Sequence, residues 1–86
     1  MRVIVVYDVE QKRIPKVLKL LRRYLNWIQN SAFEGDITPS KLEELKTRLK
    51  KLIDKEKDSV IIFKMNGKPY EKEIIGVSKS SEGKFL

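Results

Sequence analysis

The fold is decided by the stretch at residues 1–10, which reads Met-Arg-Val-Ile-Val-Val-Tyr-Asp-Val-Glu. Four β-branched residues run without a break from Val3 to Val6, and such a run is typical of a strand buried on both faces at the centre of a sheet. Asp8 follows where the run ends, so we expect its carboxylate at the carboxyl end of the strand. A carboxylate there either caps the next helix or begins a binding site, and the strand alone leaves both open.

The composition restricts the chemistry that this chain can perform. Its 86 residues predict one domain and include no Cys and no His, which excludes disulfides, thiol chemistry, a histidine base and ordinary zinc sites. A domain of this size buries only about 60% of its unfolded surface, so it gains stability from dimerisation. The apolar run is too short to cross a membrane, and we expect a cytoplasmic protein with no membrane partner.

The chain is also strongly basic. It carries 19 Lys and Arg against 12 Asp and Glu, which gives a net charge of +7. Such an excess on a small chain indicates a polyanionic partner, most often nucleic acid. A well-solvated basic surface without a partner has the same composition.

Residues 11–25 predict the first helix, because apolar residues recur there at steps of three and four. Pro15 is compatible only with a first turn, so we expect the helix to begin between Gln11 and Ile14. Between Gln11 and Tyr24 the chain carries six basic residues and no acidic one. A helix with basic residues alone on its outer face favours contacts with phosphates over ordinary solvation. The predicted nucleic-acid-binding residues are Lys12, Arg13, Lys16, Lys19, Arg22 and Arg23.

Residues 26–37 predict a hairpin, with strands near Asn26–Gln29 and Ala32–Ile37 and a turn at Asn30-Ser31. One long kinked strand is the rival interpretation. The aromatic residues Trp27 and Phe33 are expected in the core, although stacking on nucleobases is the alternative for an exposed aromatic ring.

The second helix is predicted to start at Thr38-Pro39, a cap followed by a first-turn proline, with Ser40 and Glu43 as a competing capping box. Residues 54–58 read as a charged linker. Two further strands are predicted at 60–65 and 72–77, with a turn at 66–67. The polar residues 78–86 are expected to be a flexible tail.

This order predicts an α+β, ferredoxin-like βαββαβ fold over residues 1–77, an antiparallel sheet with two helices on one face. The fourth strand is then an apolar edge, which is an aggregation hazard. We expect two protomers to pack sheet against sheet, with residues 72–77 adding a strand across the interface to the partner's sheet.

Asp8 is the first candidate for chemistry. A carboxylate at a strand end suits Mg²⁺, which uses one or two carboxylates and several waters. One Asp in each chain supplies a single carboxylate ligand, but a two-fold dimer supplies two. The alternative is that Asp8 caps the first helix or faces water.

Two motifs carry a family resemblance. Residues 3–9 read VIVVYDV and precede the basic helix, and residues 27–35 read WIQNSAFEG and precede the helix that opens at Ile37-Thr38-Pro39. In this order and at this spacing they resemble the CRISPR-associated family called Cas-two, the small dimeric subunit of the spacer-acquisition complex. The resemblance covers about residues 1–77.

The resemblance implies a homodimer in prokaryotic antiviral defence, in which Asp8 faces its symmetry mate, is linked to Mg²⁺ and is catalytic. Tyr7 and Asp8 match the family's metal-site dipeptide, and Arg13 corresponds to a basic position soon after the strand. The residues that match the hairpin motif are Gln29, Ser31 and Phe33.

Three functions stay open from the sequence. Some family members are metal-dependent endonucleases on single-stranded RNA or duplex DNA, which implies metal-assisted phosphodiester hydrolysis at Asp8. The family also serves as a non-catalytic scaffold that binds duplex DNA beside an integrase subunit. Trp27 stands where the family often has Arg, and this departure bears on hydrolysis. The third possible function is that of a ferredoxin-like regulatory domain without a nucleic-acid partner.

Overall fold

The computed structural model describes residues 1–65 and 71–78 of the chain. A short 3₁₀ turn at Gln11–Arg13 leads from the first strand into the first helix. The other elements are β1 (Arg2–Asp8), α1 (Ile14–Arg22), β2 (Asn26–Gln29), β3 (Ala32–Asp36), α2 (Pro39–Leu52), β4 (Ser59–Lys64) and β5 (Glu71–Gly76).

The described strands form one five-stranded sheet in the order β2-β3-β1-β4-β5, and all neighbours are antiparallel. The predicted central strand is at the centre: Val5 of β1 lies opposite Phe33 of β3 and Ile62 of β4. Both helices bury their apolar residues against one face of this sheet, with Leu21 of α1 and Leu45 of α2 fully buried. The predicted ferredoxin-like arrangement is confirmed.

The expectation that β1 is buried on both faces is wrong for the single chain. Val3 and Val5 are fully buried beneath the helices, whereas Ile4 and Val6 point to the other face and are half-buried. Alternation along the strand produces this difference, because successive side chains point to opposite faces. We call the face opposite the helices the open face. Its half-buried apolar residues are Ile4, Val6, Ile61, Phe63 and Ile74.

The last strand, β5, pairs with β4 of its own chain, from Ser59 opposite Gly76 to Lys64 opposite Glu71. The pairing of residues 72–77 with a partner's sheet stays a prediction, because the structure describes a single chain. The predicted turn at 66–67 and the tail from residue 79 onward lie outside the described residues.

Two further local predictions, the hairpin turn and the cap of the second helix, are confirmed. The hairpin turns at Asn30, whose φ of 47° is the left-handed conformation that Asn tolerates. Thr38 is the cap of α2, and its side-chain oxygen accepts a hydrogen bond from the Lys41 N–H at 3.2 Å. Within residues 1–65 and 71–78, no helix has the length and apolar character needed to cross a membrane.

Candidate nucleic-acid and metal site

Asp8 is the last residue of β1, and its side chain is exposed. It lies opposite Ser59, the first residue of β4. Because side chains alternate along a strand, Asp8 belongs to the open face and the preceding residue, Tyr7, to the helix-covered face. The structure therefore places the predicted metal ligand at the edge of the apolar open face.

Tyr7, which precedes Asp8 in the motif, lies in the core. It is only 6% exposed, and its ring centroid lies 6.4 Å from that of the buried Phe33. Burial raises the pKa of the Tyr7 hydroxyl, and the positive charge of Arg22 acts in the opposite direction. Tyr7 and Phe33 thus support the site from the core and stand on the opposite side of the sheet from Asp8.

The hairpin turn lies beside the end of β1. The Tyr7 N–H donates a hydrogen bond of 3.1 Å to the carbonyl oxygen of Ser31. Gln29 is exposed and lies opposite Ala32, which in turn lies opposite Val6 of β1. The structure therefore brings Gln29 and Ser31 to the carboxyl end of β1, the strand that ends at Asp8.

The donors that one chain offers to a metal ion are few. Among the described residues, no three or more Asp, Glu, His or Cys side chains are grouped so that they could hold a metal. An exposed carboxylate at a strand end is nevertheless a donor of the type that Mg²⁺ prefers, since this ion retains several waters and needs one or two carboxylates. The residues of one chain therefore fit Mg²⁺ as half of a site.

The basic helix exposes five of its six predicted contact residues, which are Lys12, Lys16, Lys19, Arg22 and Arg23. Three of them, Lys16, Lys19 and Arg23, line a groove of about 270 Å³ together with Arg48 of α2. Two leucines complete the lining, and the described residues around the groove include no carboxylate. The sequence does not predict Arg48 as a phosphate contact. Glu44 lies four residues before it, and this spacing predicts an ion pair between the two side chains. The ion pair is present, with 3.9 Å between Nη2 of Arg48 and Oε2 of Glu44.

The sixth residue, Arg13, does not join this surface. Its Nε and Nη2 atoms donate to the carboxylate of Asp58 at 2.5 and 3.1 Å, and Nη2 also donates to Glu10 at 2.8 Å. The Arg13 side chain retains only 17% exposure. Since its donors are engaged within the protein, we leave Arg13 out of the phosphate-contacting set.

Asp58 is the centre of this cluster. Its carboxylate is fully buried and also accepts the backbone N–H groups of Glu10 and Asp54, each at 2.9 Å. The Arg13 guanidinium, followed by these backbone donors, holds the pKa of the Asp58 carboxyl well below its usual range. Glu10, Arg13, Asp54 and Asp58 are called the Asp58 cluster below.

The prediction of a charged linker over residues 54–58 is wrong at Asp58. Apart from the nearby Asp54 N–H, the partners that bury its carboxylate are 45 and 48 residues away in the sequence. No local pattern in a run of charged residues indicates such distant contacts, so the sequence gives no signal for this residue.

Trp27 also departs from the prediction of a core position. Its side chain lies on an edge strand and is 53% exposed, and its indole N–H donates to the Asn30 carbonyl oxygen at 3.0 Å. Phe33, by contrast, is fully buried as predicted.

These features define a ferredoxin-like domain with an acidic strand end on its open face and a basic helix on the other. A family model described as CRISPR associated protein Cas2, the Cas-two family of the motifs above, matches residues 1–73. The chain belongs to this family.

Similar proteins agree with this assignment. One from Thermotoga maritima, named CRISPR-associated endoribonuclease Cas2, is 46% identical over 96% of this chain and 97% of its own length. A protein of the same name from Pyrococcus furiosus is 49% identical over 93% of each chain. A solved structure described as the crystal structure of Cas2 has a TM-score of 0.74 and 47% identity, and the match covers 94% of this chain and 92% of the other.

Proposed function

We propose that this protein is a Mg²⁺-dependent endoribonuclease of CRISPR defence that acts as a homodimer, with one Asp8 from each protomer at a shared metal site. The observation that carries the proposal is the exposed Asp8 at the end of the central strand, on the edge of the open face. The endoribonuclease name of the similar proteins supports the reaction type.

The homodimer is proposed from the open face. Its half-buried side chains from three neighbouring strands, among them Val6, Ile61 and Ile74, form a contiguous apolar surface. A second copy packed sheet against sheet would remove this surface from water, which is the main driving force of such association. Asp8 lies at the end of the same face, so two-fold packing there would bring the two carboxylates together and complete the half-site.

The reaction would be hydrolysis of a phosphodiester bond. When bound, Mg²⁺ supplies Lewis-acid polarisation of a phosphate oxygen and stabilises the charge that develops on it. The residues of the chain position the ion and the RNA. Asp8 would hold the ion, and Lys16 and Lys19 would bind phosphates of the flanking backbone. The Asp58 cluster fixes the segment that joins Asp8 to the basic helix, because Asp58 binds both Glu10 and Arg13.

The test compares Asp8→Asn with wild type, purified in parallel, on labelled single-stranded RNA with Mg²⁺ or with EDTA. Asp36→Asn is the matched control, since Asp36 is also an exposed carboxylate at a strand end. We expect Mg²⁺-dependent cleavage by wild type and Asp36→Asn, and RNA binding without cleavage by Asp8→Asn. Equal cleavage by all three proteins would identify a contaminant and refute the proposal.

A second candidate function is a non-catalytic scaffold in spacer acquisition, which binds the backbone of duplex DNA beside an integrase subunit. The specific observation in its favour is a set of five exposed cations and no acidic residue: Lys16, Lys19 and Arg22 on α1, Lys12 in the 3₁₀ turn before it and Arg23 directly after it. Phosphate contacts of this kind need only charge and shape, and they make binding steeply salt-dependent.

The scaffold has its own test. Duplex DNA affinity is measured between about 50 and 200 mM salt for wild type and for Lys16→Gln/Lys19→Gln. We expect the double variant to bind more weakly with a shallower salt slope, and Asp8→Asn to bind like wild type. A flat salt slope for wild type would instead favour a domain without a nucleic-acid partner.

A further inference from the structure

We propose that Trp27 is a base-stacking residue through which this protein selects an unpaired nucleotide. This assignment rests on the proposed binding of nucleic acid and adds to it the preference for a single strand.

The first support is exposure. Trp27 is 53% exposed and the next residue, Ile28, is 42% exposed, although large apolar side chains gain free energy from burial. Both lie on β2, an edge strand of the sheet. The structure therefore keeps a large aromatic ring accessible at the edge of the sheet, beside a second exposed apolar residue.

The second support is that the ring is held in place. The Trp27 indole N–H donates to the carbonyl oxygen of Asn30 at 3.0 Å, within the same hairpin. This hydrogen bond satisfies the single polar atom of the ring and leaves its apolar surface for contact with a ligand. A ring fixed before binding loses less conformational entropy when a base stacks on it, which favours affinity.

The third support is the charge beside the ring. Trp27 lies opposite Phe33, whose ring contacts Tyr7, and the positive charge of Arg22 acts on the Tyr7 hydroxyl. The exposed Arg22 and Arg23 also stand at the end of the basic helix, a few residues before the strand that carries Trp27. Proteins bind single strands with aromatic rings for the bases and cations for the phosphates, and this hairpin follows the basic helix directly in the chain.

The same hairpin connects the ring to the carboxyl end of β1. Asn30 accepts the indole hydrogen bond, and the next residue, Ser31, accepts the backbone hydrogen bond of Tyr7, which directly precedes Asp8. A nucleotide stacked on Trp27 would thus be held by the segment that borders the proposed metal site. Bases inside a duplex already stack on both neighbours, so a ring at this position favours an unpaired base.

The experiment uses the fact that Trp27 is the only tryptophan of the chain. Full-length protein in EDTA is titrated with oligouridylate, oligodeoxythymidylate, a matched RNA duplex and inorganic polyphosphate. Intrinsic fluorescence reports on Trp27, and the anisotropy of a labelled strand reports on binding separately. We expect both single strands to quench the fluorescence, because stacking does not depend on the sugar, and the duplex and polyphosphate to leave it nearly unchanged.

Variants complete the test. Trp27→Ala is expected to weaken single-strand binding by about 5- to 150-fold, the range for one stacked base, and to leave duplex binding unchanged. Trp27→Phe should recover part of the loss, and the adjacent Ile28→Ala is the matched control that should bind like wild type. Because Trp27→Phe keeps an aromatic ring, it also separates stacking from any effect of Trp27→Ala on folding.

The outcomes distinguish this assignment from the proposed function. Single-strand binding by anisotropy without quenching, or an equal loss of single-strand and duplex binding in Trp27→Ala, would overturn the role of Trp27 and leave nucleic-acid binding intact. Loss of binding in Ile28→Ala equal to that in Trp27→Ala would indicate a general apolar contact, such as one for a protein partner, and would also overturn it. No anisotropy change with any nucleic acid would refute the proposed function itself.

Discussion

Two aspartates lie at the same end of the sheet, and the structure gives them opposite surroundings. Asp8 ends β1 and is exposed on the open face, whereas Asp58 immediately precedes Ser59, the residue opposite Asp8, and is fully buried. The Asp58 carboxylate accepts four hydrogen bonds, from Arg13 and from two backbone N–H groups. Neighbouring carboxylates of one type therefore serve different purposes, Asp58 in structure and Asp8 in the proposed chemistry.

The contrast between the buried Asp58 and the exposed Asp8 shows how the loop after Asp8 is held in place. Asp58 joins segments that are distant in sequence, because its partners come from the loop after β1, the start of the basic helix and the end of α2. Its backbone oxygen also accepts the Val77 N–H at 2.9 Å, which ties the end of β5 to the same point. The loop that follows Asp8 is thus fixed by a carboxylate that takes no part in the proposed reaction.

The largest expected effect is on stability, from Asp58→Asn. Removal of the charge leaves Arg13 without its main partner and weakens the hydrogen bonds to two backbone N–H groups, so we expect a loss of about 3–5 kcal/mol in the free energy of unfolding. Urea denaturation measures it. The matched control, Asp36→Asn, removes an exposed ion pair and should cost under about 1 kcal/mol. Similar losses in the two variants would contradict the structural role of Asp58.

A smaller loss is expected from Gly76→Ala at the end of β5. Gly76 has a φ of +93°, and an added Cβ would collide with the backbone oxygen of Asp58. We expect a loss of about 1–3 kcal/mol in the free energy of unfolding, measured in the same way. Gly35→Ala is the control, because its Cβ would lie 3.2 Å from a methyl group of Leu25 that can shift. If Gly76→Ala were as stable as Gly35→Ala, β5 would not end against the Asp58 cluster.

The pH dependence of stability should distinguish the two aspartates further. The pKa of Asp58 is lower in the folded protein than in the unfolded chain, so its contribution is complete above the unfolded pKa of about 3.9 and is lost as the pH falls toward the folded value. We expect the stability difference between wild type and Asp58→Asn to stay constant from neutral pH to about pH 5 and to shrink below about pH 4. A difference that grew on acidification would refute this assignment.

The smallest expected change in stability comes from Asp8→Asn. Because Asp8 is exposed, we expect its free energy of unfolding to change by less than about 0.5 kcal/mol. Cleavage of RNA should nevertheless fall by at least about 100-fold, since one carboxylate of each half-site is lost. The denaturation curve and the cleavage rate are measured on the same preparation. If Asp8→Asn lost much of its free energy of unfolding, or cleaved RNA at the wild-type rate, the contrast between Asp8 and Asp58 would be wrong.

Much of the fold could be predicted from local patterns. The apolar run at Val3–Val6 indicated the central strand, Pro15 limited the start of the first helix, and Asn30 marked the hairpin turn. These features depend on neighbours in the sequence, so a single sequence contains them. The partner of β5 could not be predicted, because pairing within the chain and pairing across a dimer bury the same apolar strand.

The site was less predictable, for a physical reason. Asp8 could be proposed because it ends an apolar strand, whereas Asp58 and the exposure of Trp27 depend on contacts that form only in three dimensions. Arg13 shows the same limit: its spacing on the basic helix predicted phosphate contact, and a carboxylate 45 residues away engages it instead. Charge patterns identify which residues are cationic and leave open which of them are already paired.

The central claim, that Asp8 forms half of a shared metal site, is tested most directly by the stoichiometry of Mg²⁺ binding. Isothermal titration of the full-length protein, with its mass in solution determined in parallel, gives the number of ions per chain. We expect a dimer that binds one ion for every two chains, with binding lost in Asp8→Asn and retained in Asp36→Asn. A monomer, or specific Mg²⁺ binding that is the same in Asp8→Asn as in wild type, would contradict it.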